Sequence, residues 1–87
     1  DVPTALKGYR KLARMAAGLV APGGFLFIAS CSHNVTAEAF AEDVAGGISR
    51  AGRTGRVLRA SGASTDHPVH PLLPETAYLK ALTVQLD

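Results

Sequence analysis

The residues best equipped for covalent chemistry sit together. Cys31 is the only cysteine, and His33 follows two positions later in Ala29-Ser30-Cys31-Ser32-His33-Asn34-Val35. A thiolate is a strong nucleophile whose availability is set by its surroundings. Residues two apart share a face when the chain is extended, so His33 is placed to tune or position the thiol. Thr36 is a good N-cap, and a helix starting there would bring its positive end close to Cys31, which favours the thiolate. The competing reading is a buried structural cysteine, a common use of the residue.

Other assemblies of the same residues fit less well. A phosphate-holding cysteine loop needs an arginine soon after the thiol, and Ala37 occupies that place. Ser32, His33 and Asp66 lack the nucleophile-elbow glycines of a hydrolase triad. Cys31, His33, His67 and His70 do not have the spacing of a usual closed zinc site. No metal is expected.

The element that must position Cys31 is the apolar run Phe25-Leu26-Phe27-Ile28-Ala29. With no alternating polar face, it reads as a strand buried on both sides, as in a parallel sheet covered by helices. Such sheets carry their chemistry just past the carboxyl ends of the strands. Cys31 sits at that edge.

Upstream, Leu6, Tyr9, Ala13, Ala16 and Val20 recur at helical spacing from about Pro3 to Val20, and Leu12 and Leu19 widen the same face. Lys7, Arg10, Lys11 and Arg14 form a basic stripe on the other side, either a solvated face or a contact for an RNA backbone. Ala21-Pro22-Gly23-Gly24 should stop this helix. Beyond Thr36, Phe40, Val44, Ile48 and Ala51 mark a second buried stripe that ends at Gly52. Within it, Gly46-Gly47 costs about 1 kcal/mol per glycine against alanine, which implies local weakness or close packing. A short strand is expected at about Arg56 to Ala60. Ser61 to Thr76, with three prolines, reads as a long loop, of the kind usually functional or disordered. Tyr78 to Leu86 alternates like an antiparallel strand near a sheet edge. The order helix, strand, helix, strand, loop, strand is that of the second half of an open α/β sheet.

Eighty-seven residues make one small domain at most, and a chain this short buries only about 60% of its unfolded surface. A lone cysteine forms no internal disulfide, which suits a reducing cytosol. No apolar run approaches the roughly 20 residues that span a bilayer, so no membrane partner is expected. A net charge of +2 is too slight to argue for a nucleic-acid partner by itself. Asp1-Val2-Pro3-Thr4 leads straight into a helix, with no initiator methionine and no opening strand. The expectation is a piece of a longer chain.

Two stretches carry a resemblance. Leu19-Val20-Ala21-Pro22-Gly23-Gly24 followed by Ala29-Ser30-Cys31-Ser32-His33-Asn34-Val35 looks like the catalytic-strand region of the RlmI-like class I methyltransferases. Asp66-His67-Pro68-Val69 and Pro74-Glu75-Thr76-Ala77-Tyr78-Leu79-Lys80 resemble that family's C-terminal signature. Asn34 departs from the pattern, standing where many members carry a second histidine. The resemblance implies that residues 1–87 are the C-terminal half of a Rossmann-like catalytic sheet whose last strand is antiparallel. It also implies S-adenosylmethionine as cofactor and 5-methylcytosine in large-subunit ribosomal RNA as product.

In that chemistry carbon 5 of cytosine is too weak a nucleophile unaided. Addition of a thiolate at carbon 6 raises electron density at carbon 5; after methylation a base removes the carbon-5 proton and the cysteine leaves. Cys31 matches the nucleophile position, and Asp66, His67 and Tyr78 are candidates to line the base pocket. The glycine-rich loop for the cofactor, the Asp-Pro-Pro segment for the base and an RNA-binding domain are all expected upstream, leaving this chain alone inactive. Without a neighbouring strand, Phe25–Ser30 would expose an edge through which the chain is expected to self-associate. The alternatives are a methyltransferase for another base with a structural cysteine, and a non-catalytic interaction module.

Overall fold

The computed structural model describes residues 2–32, 34–62 and 79–87. Helix α1 spans Val2–Ala17, strand β1 Phe25–Ser30, helix α2 Ala37–Arg50, strand β2 Gly55–Gly62 and strand β3 Lys80–Leu86. The expected order of elements holds within a residue or two at most ends. The exception is α1, which stops at Ala17, short of Val20. The loop expected at residues 61–76 lies mostly outside the described residues.

Three strands form one antiparallel sheet in the order β1-β3-β2. Both β1 and β2 run antiparallel to β3, so they are parallel to each other and α2 is the connection between them. β3 slots into the gap that this crossover leaves. Among the described residues the architecture is α/β, with two helices and a small sheet.

Hydrogen bonds at the rim fix the register. Gly23 N–H donates to the Leu86 carbonyl at 2.8 Å, and Leu86 N–H to the Gly24 carbonyl at 2.9 Å. Gly23 has φ +80°, a left-handed conformation glycine adopts without steric cost. The Gly23-Gly24 turn, which follows the end of α1 at Ala17, therefore hooks the end of β3.

The core lies between the helices and one face of the sheet. Ala13 and Ala17 of α1, Leu26 and Ile28 of β1, Phe40, Val44 and Ile48 of α2, and Leu82, Val84 and Leu86 of β3 are buried there, together with Val35. Contacts between the helices advance in the same sense along both. The Tyr9 and Phe40 rings meet edge to face with centroids 5.3 Å apart, Arg10 pairs with Asp43, and Ala13 lies against Gly47. The helices therefore run side by side in the same direction.

Three expectations need correction. First, β1 is not buried on both faces. Leu26 and Ile28 are 6% and 5% exposed, but Phe25 and Phe27 are 61% and 68% exposed. Among the described residues, helices cover only one side of the sheet. An apolar run reports what a strand can bury, and the elements present decide what it does bury.

Second, β3 is the central strand, not one near an edge. Its half-polar alternation comes from Thr83 and Gln85, which share the uncovered face with Phe27 and Phe25. Alternation therefore recorded one-sided cover and said nothing of position in the sheet. Third, Leu12 and Leu19 do not widen the core face of α1: they are 52% and 88% exposed.

Candidate functional site: the carboxyl end of β1

β1 delivers Cys31 to the end of the sheet, and Cys31 is exposed. The residue before it is anchored. Ser30 is buried, and its hydroxyl shares a hydrogen bond with the Tyr9 hydroxyl of α1. The same Ser30 oxygen accepts the Ser32 N–H at 3.2 Å, and Ser32 Oγ accepts the Asn34 N–H at 3.4 Å. Short serine-to-backbone bonds of this kind stabilise a turn in place of a sheet ladder.

Val35 then drops into the core, 2% exposed, and Thr36 caps α2, its side chain accepting the Ala39 N–H at 3.1 Å. An N-cap of this type contributes about 1 kcal/mol. From the opposite strand, Lys80 Nζ donates to the Ser32 carbonyl at 2.7 Å; Lys80 is the register partner of Ser30. The loop bearing the thiol is thus tied down by Tyr9 of α1, Val35 and Thr36 on the way into α2, and Lys80 of β3.

His33, Asp66, His67 and Tyr78 lie outside the described residues, as does His70. The described contributors that sequence reasoning missed are Tyr9, Ser30 and Lys80. Tyr9 was assigned only to the core face of α1. A hydroxyl on an otherwise apolar stripe was the available signal, since a buried Tyr O–H usually finds a partner. Among the described residues no group of three or more His, Cys, Asp or Glu side chains is placed to hold a metal ion. The buried carboxylate of α2, Asp43, accepts from Arg10 Nε at 3.0 Å, so it is not offered to a ligand.

No protein-family model matches the chain. It is 43% identical over 83 residues, 95% of its length, to the Ribosomal RNA large subunit methyltransferase of Deinococcus radiodurans. It is 37% identical over 81 residues to the Ribosomal RNA large subunit methyltransferase I of Aeromonas salmonicida, and 33% identical over 82 residues to that of Salmonella arizonae. This segment is homologous to the ribosomal RNA large subunit methyltransferases. It spans about a fifth of the length of these relatives (20% of each). The share of this chain covered, 93–95% in these three, means that the likeness includes the Cys31 strand, both helices and β3 together. Among the described residues no helix is long and apolar enough to cross a membrane.

Proposed function

We propose that this segment is the C-terminal part of the Rossmann-like catalytic domain of a cytoplasmic, S-adenosylmethionine-dependent methyltransferase acting on carbon 5 of a cytosine in large-subunit ribosomal RNA. Cys31 is its nucleophile. The observation that carries the reading is the exposed thiol at the carboxyl end of β1, on a loop tied at both ends. A structural cysteine is characteristically buried. A nucleophile needs access for a ring and a fixed direction of approach.

The topology supports the same reading. A crossover between parallel β1 and β2, with a final antiparallel strand between them, fits the second half of such a sheet. In this chemistry the cofactor supplies the methyl group, and its binding residues belong to the part of the protein outside this chain. What the present residues supply is the covalent step. The Sγ–C6 bond forms as the C5–C6 double bond opens, leaving carbon 5 electron-rich; after substitution at carbon 5, loss of its proton restores the double bond and expels the thiolate. His33 positions or tunes the thiol, and Asp66, His67 and Tyr78 line the base pocket.

The test uses an RNA substrate containing 5-fluorocytosine and the full-length enzyme that carries this segment. Fluorine at carbon 5 cannot leave as a proton does, so the adduct persists. A covalent protein–RNA band that disappears in Cys31→Ser is expected. An enzyme that methylates its RNA with no such band, and keeps activity as Cys31→Ser, would show that the cysteine is structural and the target lies elsewhere. The 87-residue chain by itself is expected to be inactive.

A further inference from the structure

Five of the nine lysines and arginines in the chain line one surface groove: Lys7, Arg10, Lys11, Arg14 and Arg50. Its volume is about 460 Å³. Four of these residues come from α1 at helical spacing, and Arg50 closes the groove from the last turn of α2. The periodicity of α1 alone described a ridge; packing against α2 makes it a concavity. Glycine at 47 is what brings the helices so close, because a Cβ there would lie 2.3 Å from the Arg10 carbonyl oxygen.

Only one of the five charges is internally balanced. Arg10 is paired with buried Asp43, while Lys7, Lys11, Arg14 and Arg50 are exposed and, among the described residues, have no ion pair. The groove thus carries an excess of four positive charges in a chain whose formal net charge is +2. Like charges crowded into a concavity repel one another, so their placement weakens the fold unless something anionic sits among them. Lys7 to Arg14 spans roughly 10 Å at 1.5 Å per residue, the reach of about three successive phosphates at 3.4 Å rise along one strand.

We infer that this groove is a contact surface for the sugar–phosphate backbone of RNA, separate from the Cys31 edge and reading no sequence. The choice of RNA over other polyanions rests on the reading under Proposed function. Contacts of this kind position a duplex or loop and leave specificity to the base pocket. Lys7, Lys11, Arg14 and Arg50 make them; Arg10 holds the two helices together.

The test is fluorescence anisotropy of the 87-residue chain with a fluorescein-labelled ribosomal RNA hairpin at several salt concentrations. Each phosphate contact contributes about 0.7 to 0.9 to the log–log salt slope. The variant Lys7→Gln/Lys11→Gln/Arg14→Gln/Arg50→Gln is expected to bind at least 10-fold more weakly at low salt, with a slope shallower by about 3. All four positions are exposed, and circular dichroism checks that the fold is kept; the pair Lys7→Gln/Lys11→Gln provides a milder version with half the slope change. An unchanged slope in a folded variant would overturn the inference. So would tight binding to vesicles of anionic phospholipid with none to RNA. The adduct experiment reads a covalent bond at Cys31 and the salt slope reads the groove, so a failed adduct and a failed groove remain distinguishable.

Discussion

At the scale of single residues, two side chains set the stakes of the fold. Asp43 is a carboxylate on the buried face of α2, 5% exposed, and it is tolerated there because Arg10 reaches it with both Nε and Nη2. Removing one partner of a buried pair leaves the other charge uncompensated, at about 3–5 kcal/mol when both are deep. Arg10 keeps about a third of its side chain in water (36%), so Arg10→Met should cost less than that range. About 2 kcal/mol, read as a lowered urea midpoint at unchanged m, is expected.

Arg53 does comparable work at the other end of the helices. Its Nη1 donates to the carbonyls of Ala17 and Val20 at 2.7 and 2.6 Å, and Nη2 to the Asp87 carbonyl at 3.1 Å. Ala17 closes α1, where a carbonyl lacks the usual i+4 donor, Val20 lies in the turn that follows, and Asp87 comes just after β3, so one guanidinium joins three segments. With charge-assisted bonds at about 1.5–3 kcal/mol, Arg53→Met should lower stability by about 2 kcal/mol, a fall in Tm on the order of 10 °C for a domain of this size. Neither role was legible beforehand. Arg10 read as one member of a basic stripe and Arg53 carried no expectation, because their partners are 33 to 36 residues away.

At the scale of elements, the glycine pair in α2 had been read as either weakness or close packing, and the two positions divide between those answers. A Cβ at Gly47 would meet the Arg10 carbonyl oxygen at 2.3 Å and the Ala13 Cβ at 2.8 Å. At Gly46 the nearest atoms are in the flexible Arg10 side chain, 3.7 Å away. Gly46→Ala should therefore gain up to about 1 kcal/mol from helix propensity, while Gly47→Ala should lose 2 kcal/mol or more as the helices are forced apart. Thermal denaturation of the two single variants checks the opposite signs. The helix stripes of Phe40, Val44 and Ile48 were readable because periodicity survives in any environment. Leu12 and Leu19 were misassigned because periodicity names a face without saying how wide the neighbouring element will cover it.

At the scale of the whole molecule, the two edges of the sheet differ in kind. β2 has a register irregularity between Val57 and Arg59 and carries exposed arginines at 56 and 59. Irregular pairing and charge are devices that discourage further strand addition. β1 has none: Phe-Leu-Phe-Ile-Ala-Ser is uncharged, free of proline, and shows Phe25 and Phe27 on its open face. The isolated chain is expected to self-associate through β1, with a mass in analytical ultracentrifugation that rises with concentration. Phe25→Lys/Phe27→Lys should restore a monomer without loss of secondary structure. A parent chain that stays monomeric at high concentration would count against an open edge.

The order of elements, the N-cap at Thr36, the end of α2 before Gly52, and the location of the thiol at a strand end were all written in local patterns. Propensity, capping and hydrophobic period act over a few residues, and a sequence displays them directly. What faces the other side of β1, which strand occupies the centre, and how Arg50 joins four cations of α1 depend on contacts between residues far apart in the chain. Those were decided only when the elements packed, since burial and charge pairing belong to the neighbours a residue acquires and not to the residue alone.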